Sequence, residues 1–150
     1  MKTSKLFIVI TLTLFALFSY SQTKKEADAV TGFWYTAKKD GIVKIYRAKN
    51  GKYYGKLHWI DEPNDEDGNP KLDINNPDIS LRNTPILGSV FMKGFEYKGD
   101  NLWANGTVYD SRFCLTYSAK MWLVNNNQLD LRGFLMFSLL GKTTSWTRKL

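Results

Sequence analysis

From Gly32 onward, apolar and polar side chains alternate in short runs that are rich in β-branched and aromatic residues. This alternation is typical of β-strands that have one buried face. It predicts about eight strands, over residues 32–37, 41–48, 52–60, 89–98, 102–110, 113–124, 128–137 and 143–149. The sequence "AKNGK" between the second and third strands contains the Asn-Gly pair of a tight hairpin, so we expect neighbouring strands to be antiparallel.

The same alternation predicts which side chains face the interior. In the sixth strand, Tyr117, Ala119, Met121 and Leu123 share one face, and Lys120 lies on the other. A sheet with one apolar and one polar face avoids exposed edges by closing on itself. We therefore predict an all-β fold, a single small antiparallel β-barrel without a long helix or an internal repeat.

The first 21 residues have the three parts of a secretory signal peptide. Lys2 and Lys5 precede an apolar run over residues 6–18, and Ser19 and Ser21 are small residues at the positions that a signal peptidase reads. The run is shorter than the ~18 apolar residues of a membrane span. We expect cleavage after Ser21, so that residues 22–150 form one exported domain that is periplasmic or secreted.

Charge and cysteine content narrow the range of partners. The chain has 21 Lys and Arg against 14 Asp and Glu, and loss of Lys2 and Lys5 with the signal peptide leaves nineteen against fourteen. A basic protein attracts anionic partners, and for an exported protein we expect an anionic envelope component rather than nucleic acid. Cys114 is the single cysteine, so the chain forms no internal disulfide.

An acidic stretch interrupts this basic chain. Residues 61–78, "DEPNDEDGNPKLDINNPD", hold seven acidic side chains and one lysine. With Gly68 at the sixth position of an EF-hand loop, Pro63 and Ile74 would occupy ligand positions, which excludes that motif. A looser calcium site stays open, and its ligands would be Asp61, Asp65, Asp67, Asn69 and Asp73. The alternative is a solvated loop, as is usual for runs of charge.

The second half of this stretch has a different character. "DINNPD" at 73–78 combines Asx residues with a proline, which favours an ordered turn. Arg82 follows closely enough to pair with Asp73 or Asp78. We therefore predict that residues 73–82 form an ordered crossing that covers one end of the barrel.

The sequence does not predict an enzyme. His58 is the only histidine, and nothing in its spacing from Cys114 requires the two to form a nucleophile pair. For glycosidase chemistry, Asp110 would need a second carboxylate from Asp73 or Asp78. Because the chain also lacks a glycine-rich phosphate loop and a Gly-x-Ser-x-Gly sequence, we expect a protein without catalytic residues, resident metal or cofactor.

Two motifs at the ends of the strand series form a pair: "GFW" at 32–34 and "SWTRK" at 145–149. They are similar to the lipocalin and calycin pattern, in which a first-strand tryptophan closes the barrel under an arginine from the last strand. A guanidinium over an indole ring contributes ~0.5–2 kcal/mol. The resemblance implies that Trp34 and Arg148 close one end of the barrel.

A fuller resemblance covers most of the chain after the signal peptide. Its motifs are "GFW" at 32–34, "YYGKLHWI" at 53–60, "DINNPD" at 73–78, "LRNTPILG" at 81–88, "VYD" at 108–110, "YSAKMWL" at 117–123 and "LDLRGFLMFSLLGKTTSWTR" at 129–148. In this order they resemble the exported bacterial family called domain of unknown function 2147, which implies a small exported β-barrel with no established activity. The chain departs from the family's Asp-Pro-x-x-Gly-Lys at one hairpin, where Ser111, Cys114 and Leu115 replace Pro, Gly and Lys.

Two functions are consistent with these features. The first is binding of a small hydrophobic or amphipathic ligand inside the barrel, with tryptophans along the wall and Arg82 on an anionic head group. The predicted ligand site at the open end consists of Asp73, Asn76, Arg82, Tyr109 and Asp110. The second is a packed barrel, filled by its tryptophans, that acts as a scaffold or binds envelope components through its basic surface. A hollow interior would favour the first function; the oligomeric state is open.

Overall fold

The computed structural model describes residues 25–136 and 140–150, and it shows eight antiparallel strands closed into one barrel. The strands are β1 (Gly32–Tyr35), β2 (Gly41–Arg47), β3 (Tyr53–Ile60), β4 (Val90–Gly99), β5 (Leu102–Asp110), β6 (Leu115–Asn125), β7 (Gln128–Phe134) and β8 (Gly141–Arg148). Each strand pairs with the next, and β8 pairs with β1 to complete the ring. The predicted all-β barrel is confirmed, whereas the predicted signal peptide lies outside the described residues.

The hairpins between strands use the turn chemistry that the sequence indicates. At the β2–β3 hairpin, Gly51 has a φ of +79° and its N–H donates to the carbonyl of Ala48 at 2.9 Å. At the β4–β5 hairpin, Asp100 and Asn101 have φ values of +48° and +57°. Two consecutive residues with positive φ match the twist of the flanking strands and favour a tight reversal.

The β5–β6 turn is longer than predicted, and β6 begins at Leu115 instead of residue 113. Asp110 causes this difference, because its carboxylate accepts the backbone N–H of Arg112 at 3.0 Å and fixes a turn. Cys114 then adopts a φ of +55°, which is outside the extended range of a regular strand. Residues 111–114 therefore project beyond the strands instead of extending β6.

The β7–β8 connection also differs from the prediction. β7 ends at Phe134 rather than residue 137, and Met136 has a φ of +60°, which is outside the extended range of a regular strand. β8 begins at Gly141, two residues before the predicted start at 143. As a result Lys142 belongs to β8 and not to the preceding loop.

The interior of the barrel is built from the apolar faces of the strands. On β6, Ala119, Met121 and Leu123 are buried, as the alternation predicts. Lys120, between Ala119 and Met121, is on the outer face. The core cluster continues around the ring through Trp34, Val43, Ile45, Tyr53, Met92, Phe95, Trp103, Leu129, Leu131 and Trp146. Ala27 and Val30, from the segment before β1, belong to the same buried cluster.

That closed end is covered by residues 25–31, which include a 3₁₀ turn over Asp28–Val30. The indole N–H of Trp34 donates to the carbonyl of Val30 at 2.9 Å, and that of Trp103 donates to the carbonyl of Ala27 at 3.1 Å. Two buried indoles thus find their hydrogen-bond acceptors in the segment that covers them. This arrangement satisfies polar groups that would be costly to bury unpaired.

A tyrosine and an arginine hold the same segment. The hydroxyl of Tyr53 donates to the carboxylate of Asp28 at 2.8 Å, and burial together with this carboxylate raises the pKa of Tyr53. Arg148 lies 4.1 Å from the centroid of the Trp34 ring and donates to the carbonyls of Ala29 at 2.7 Å and Thr31 at 2.9 Å. The two residues expected to close the barrel are in contact, and the arginine also fastens the N-terminal segment.

The four connections β1–β2, β3–β4, β5–β6 and β7–β8 meet at the opposite end, which we call the open end. The longest of them, β3–β4, contains a second 3₁₀ turn over Ile79–Leu81, which begins where the Asp78 carboxylate accepts the N–H of Ser80 at 3.0 Å. Within residues 25–136 and 140–150 the structure has no helix of the length and hydrophobicity that crossing a membrane requires.

Candidate functional site

The open end of the barrel contains a cavity of about 620 Å³. This volume is within the range of ~300–1,000 Å³ that is usual for small-molecule sites. The cavity extends along β5 to β8 and the two connections between them. Its lining residues are Val108, Asp110, Arg112, Phe113, Tyr117, Leu131, Gly133, Phe134, Leu135, Leu140, Gly141, Lys142 and Thr144. The wall is therefore mainly apolar, with a few polar groups near the mouth.

The cavity does not extend through the whole barrel, because large buried side chains fill the interior toward the closed end, which we call the lower half. Two glycines make this packing feasible: the Phe95 ring lies against Gly106, where even a Cβ atom would overlap it. A Cβ on Gly55 would lie 2.5 Å from the sulfur of Met92. The tightly packed lower half and the hollow upper half therefore coexist in one barrel, and eight strands are compatible with either filling.

The five tryptophans do not line the cavity, contrary to the expectation that they form its wall. Trp34, Trp103 and Trp146 are buried in the packed lower half, and Trp59 and Trp122 lie on the outer surface. Their places follow from strand phase, because Trp122 alternates with the inward-facing Met121. The aromatic part of the cavity wall comes instead from tyrosine and phenylalanine side chains.

Three charged side chains line the cavity: Asp110, Arg112 and Lys142. The carboxylate of Asp110 accepts two hydrogen bonds from the Arg112 guanidinium, at 3.0 and 2.7 Å. This contact lowers the pKa of Asp110 and raises that of Arg112. Asp40 on the β1–β2 connection also raises the pKa of Arg112 electrostatically. The charges of Asp110 and Arg112 are therefore compensated within the protein.

Lys142 lies on the inner face of β8. It is two residues from Thr144, which lines the cavity, and four from Trp146, which is buried in the core. Its partner across the β7–β8 pair is Gly133, which has no side chain to cover it. Within the part of the chain that the structure describes, the side chain of Lys142 forms no ion pair and no hydrogen bond.

Four of the five residues predicted for the ligand site form one hydrogen-bonded cluster. The carboxylate of Asp73 accepts the Tyr109 hydroxyl at 3.0 Å and the side-chain amide of Asn76 at 2.6 Å. Arg82 donates its Nε–H to the backbone carbonyl of Asn76 at 2.8 Å, rather than pairing with Asp73 or Asp78. Burial and the Asp73 carboxylate raise the pKa of Tyr109 to about 12.

This cluster and the cavity are on different sides of the barrel wall. Val108 and Asp110 line the cavity, so the alternation of β5 directs Tyr109 between them to the outer face. Of the five residues predicted for the ligand site, only Asp110 lines the cavity. The other four fasten the β3–β4 connection to the outside of β5. Their predicted role in ligand binding stays a prediction; the contacts that they make stabilise the ordered crossing over residues 73–82.

The residues considered for other chemistry have separate surroundings. The His58 ring packs on Phe33, with ring centroids 4.7 Å apart. Cys114 is in the β5–β6 turn, where its thiol donates to the carbonyl of Ser111 at 3.5 Å. The carboxylate of Asp65 accepts the backbone N–H of Asn69 at 2.8 Å within its own turn. In residues 25–136 and 140–150, no three His, Cys, Asp or Glu side chains are grouped closely enough to hold a metal ion.

A closed eight-stranded barrel with one covered end and a cavity at the other is a lipocalin-like architecture. A solved structure has a similar fold: protein HP1028 from the human pathogen Helicobacter pylori, described as belonging to the lipocalin family. The two are similar with a TM-score of 0.67 and 25% sequence identity, over 81% of this chain and 83% of that chain.

The sequence comparison identifies the family. Residues 32–148 match the model of the family described as uncharacterized protein conserved in bacteria, DUF2147, and the chain belongs to this family. No curated protein matches the chain in sequence. The resemblance noted from the ordered motifs is thereby confirmed, and so is the similarity to lipocalins.

Sequence reasoning missed most of the cavity lining, above all Lys142, Phe113 and Phe134. The signal for Lys142 was present, because alternation counted backward from Trp146 through Thr144 places it on the inner face. The signal was lost when the strand was predicted to begin at residue 143. Phe113 and Phe134 belong to strand ends and turns, whose positions depend on the backbone geometry of the β5–β6 and β7–β8 connections.

Proposed function

We propose that this protein is an exported, non-catalytic binding protein that holds one small hydrophobic or amphipathic molecule in the cavity at its open end. The observation that carries the proposal is the cavity of about 620 Å³ with a mainly apolar wall. Water in such a space makes few hydrogen bonds, so an apolar ligand gains free energy by displacing it. The likeness to a protein described as a lipocalin adds support.

Three features support binding rather than catalysis. The ion pair of Asp110 and Arg112 leaves the cavity without a free carboxylate to act as a base. His58 and Cys114 are engaged elsewhere and do not line the cavity. The packed lower half gives the wall a rigid base, which favours a preformed binding site.

The proposal is tested by filling the cavity from within. Gly133 suits this purpose because a Cβ there would be 3.6 Å from the nearest atom of Tyr117, an ordinary contact, and its backbone needs no positive φ. Gly133→Leu should therefore fold and project its side chain into the cavity. Ser145→Leu, on the exposed outer face of β8, adds a similar group outside the barrel and is the matched control.

The assay is titration of the mature protein with a neutral fluorescent naphthylamine probe and with lauric acid. We expect the wild type and Ser145→Leu to bind with equal affinity, and Gly133→Leu to bind at least about tenfold more weakly. Equal binding by Gly133→Leu would show that the probes occupy another site and would overturn the proposal. Native mass spectrometry of protein purified from its own host then identifies the resident ligand.

Export is part of this proposal and has its own test. The expected cleavage after Ser21 would make Gln22 the first residue of the mature chain. Intact mass measurement of the protein from a cell-envelope or secreted fraction should give the mass of residues 22–150. A full-length mass in a cytoplasmic fraction would contradict export while leaving the binding proposal intact.

A further inference from the structure

The charges that line the cavity leave one cation uncompensated. Asp110 and Arg112 are joined by two hydrogen bonds and cancel each other. Lys142 is the third charged residue of the lining, and in the described part of the chain it has no acidic partner within ion-pair distance. The cavity wall consequently carries a net charge of +1.

The position of Lys142 in the cavity allows it to bind the polar end of a ligand. It is near the start of β8, close to the mouth, whereas Leu131 and Thr144 line the cavity deeper in the barrel. Four residues of strand, or about 13 Å, separate Lys142 from Trp146 in the packed floor. Gly133 beside it leaves room for a head group against the ammonium. A molecule with a polar end at Lys142 would direct its apolar part toward Leu131.

The sign of the charge selects among amphipathic molecules. The Lys142 side chain is exposed. An ammonium beside an apolar wall still interacts with an anion somewhat more strongly than it would in bulk water, because the wall excludes part of the solvent. A carboxylate at Lys142 also gains a charge-assisted hydrogen bond. A neutral head group gains a weaker bond, and a cationic head group is repelled.

We propose that the ligand is an amphipathic acid with a single anionic group, and that Lys142 binds this group at the mouth of the cavity. This inference rests on the proposed function and assigns its ligand class. It gives to Lys142 the role that the sequence suggested for Arg82. Arg82 is fastened to the carbonyl of Asn76, in the cluster outside the wall.

The test compares three probes with one chain length and different head groups: lauric acid, dodecanol and dodecylamine. Each is titrated below its micellar concentration into wild type, Lys142→Gln and Lys120→Gln by calorimetry. Lys120 is on the outer face of β6, so its substitution removes the same charge without changing the cavity. Thermal unfolding of all three proteins checks that they are folded.

We expect wild type to bind lauric acid about five- to tenfold more tightly than dodecanol, and dodecylamine most weakly. Lys142→Gln should lose the preference for the acid while it still binds dodecanol, and Lys120→Gln should behave as wild type. Equal losses in the two variants would mean that overall charge is responsible and would overturn the inference.

The outcomes also separate this inference from the proposed function. If wild type binds the three probes equally and Lys142→Gln changes nothing, the cavity binds ligands but Lys142 does not choose the head group. If wild type binds none of them, the proposed function fails for these amphiphiles and the inference fails with it. Tight binding of the acid by Lys142→Gln would exclude Lys142 as the anion-binding residue.

Discussion

Arg148 provides the sharpest prediction about stability, because one side chain joins β8 to the segment that covers the closed end. Its guanidinium donates to the carbonyls of Ala29 and Thr31 and packs 4.1 Å from the Trp34 ring centroid. Its Nε–H donates to the carbonyl of Asn126 in the β6–β7 turn. Burial lowers the pKa of Arg148, which indicates that the charge is partly withdrawn from water.

Arg148→Ala should reduce the free energy of unfolding by about 2–4 kcal/mol. The cation–π contact accounts for ~0.5–2 kcal/mol of this. Hydrogen bonds to a charged donor contribute ~1.5–3 kcal/mol each when buried, and the three bonds of Arg148 are worth less because the side chain is partly exposed. For a domain of this size, such a loss lowers Tm by about 10 °C.

Urea denaturation and thermal unfolding of the mature protein measure this effect, and hydrogen exchange of residues 25–31 shows where it acts. Arg148→Lys keeps the charge but not the planar fork of donors, so it should recover less than half of the loss. Lys149→Ala is the control, since that exposed lysine should change stability by under about 0.5 kcal/mol. A fully stable Arg148→Ala protein with protected residues 25–31 would refute this account of barrel closure.

Three other substitutions test separate contacts. Glu96 accepts hydrogen bonds from two lysines, which lower its pKa from 4.5 to about 2. Wild type should therefore be more stable than Glu96→Gln by the full amount above pH 4.5, and this difference should disappear as the pH falls through about 2. Urea denaturation at a series of pH values measures the difference. Gly106→Ala should lower the free energy of unfolding by about 1–3 kcal/mol, measured in the same way, because its Cβ overlaps the Phe95 ring. Tyr109→Phe removes the bond to Asp73 and should cost about 1 kcal/mol at neutral pH, with faster hydrogen exchange in residues 73–82.

The alternation of apolar residues was sufficient to predict the barrel, because each strand has to bury one face. It predicts that Ala119, Met121 and Leu123 face the interior, and these residues are buried. The ends of strands were less predictable, since they depend on single backbone conformations. The positive φ of Cys114 and of Met136 shortened two strands, and neither residue type signals such a conformation.

The candidate site was harder to predict than the fold for a related reason. Asp73, Asn76, Arg82 and Tyr109 do come together, as polar residues in an Asx-rich turn tend to do. Which face of the barrel they occupy depends on the phase of β5, and Tyr109 is directed outward. The sequence pattern indicates that these polar groups have hydrogen-bond partners. Whether they meet inside or outside the barrel depends on the register of the strand that carries Tyr109.

The two functions considered from sequence differed in whether the barrel is hollow or packed. In the structure, the half toward the closed end is packed and the half at the open end contains a cavity. Gly55 and Gly106 allow Met92 and Phe95 to fill the lower half, and the N-terminal segment closes it from below. A ligand of the proposed class would then enter through the open end, past Lys142. The packed floor limits how much of an apolar chain the cavity can bury, and the uncompensated lysine at the mouth favours an anionic end. Both limits on the proposed ligand follow from the same arrangement, in which bulky side chains fill one half of the barrel and leave a cavity in the other.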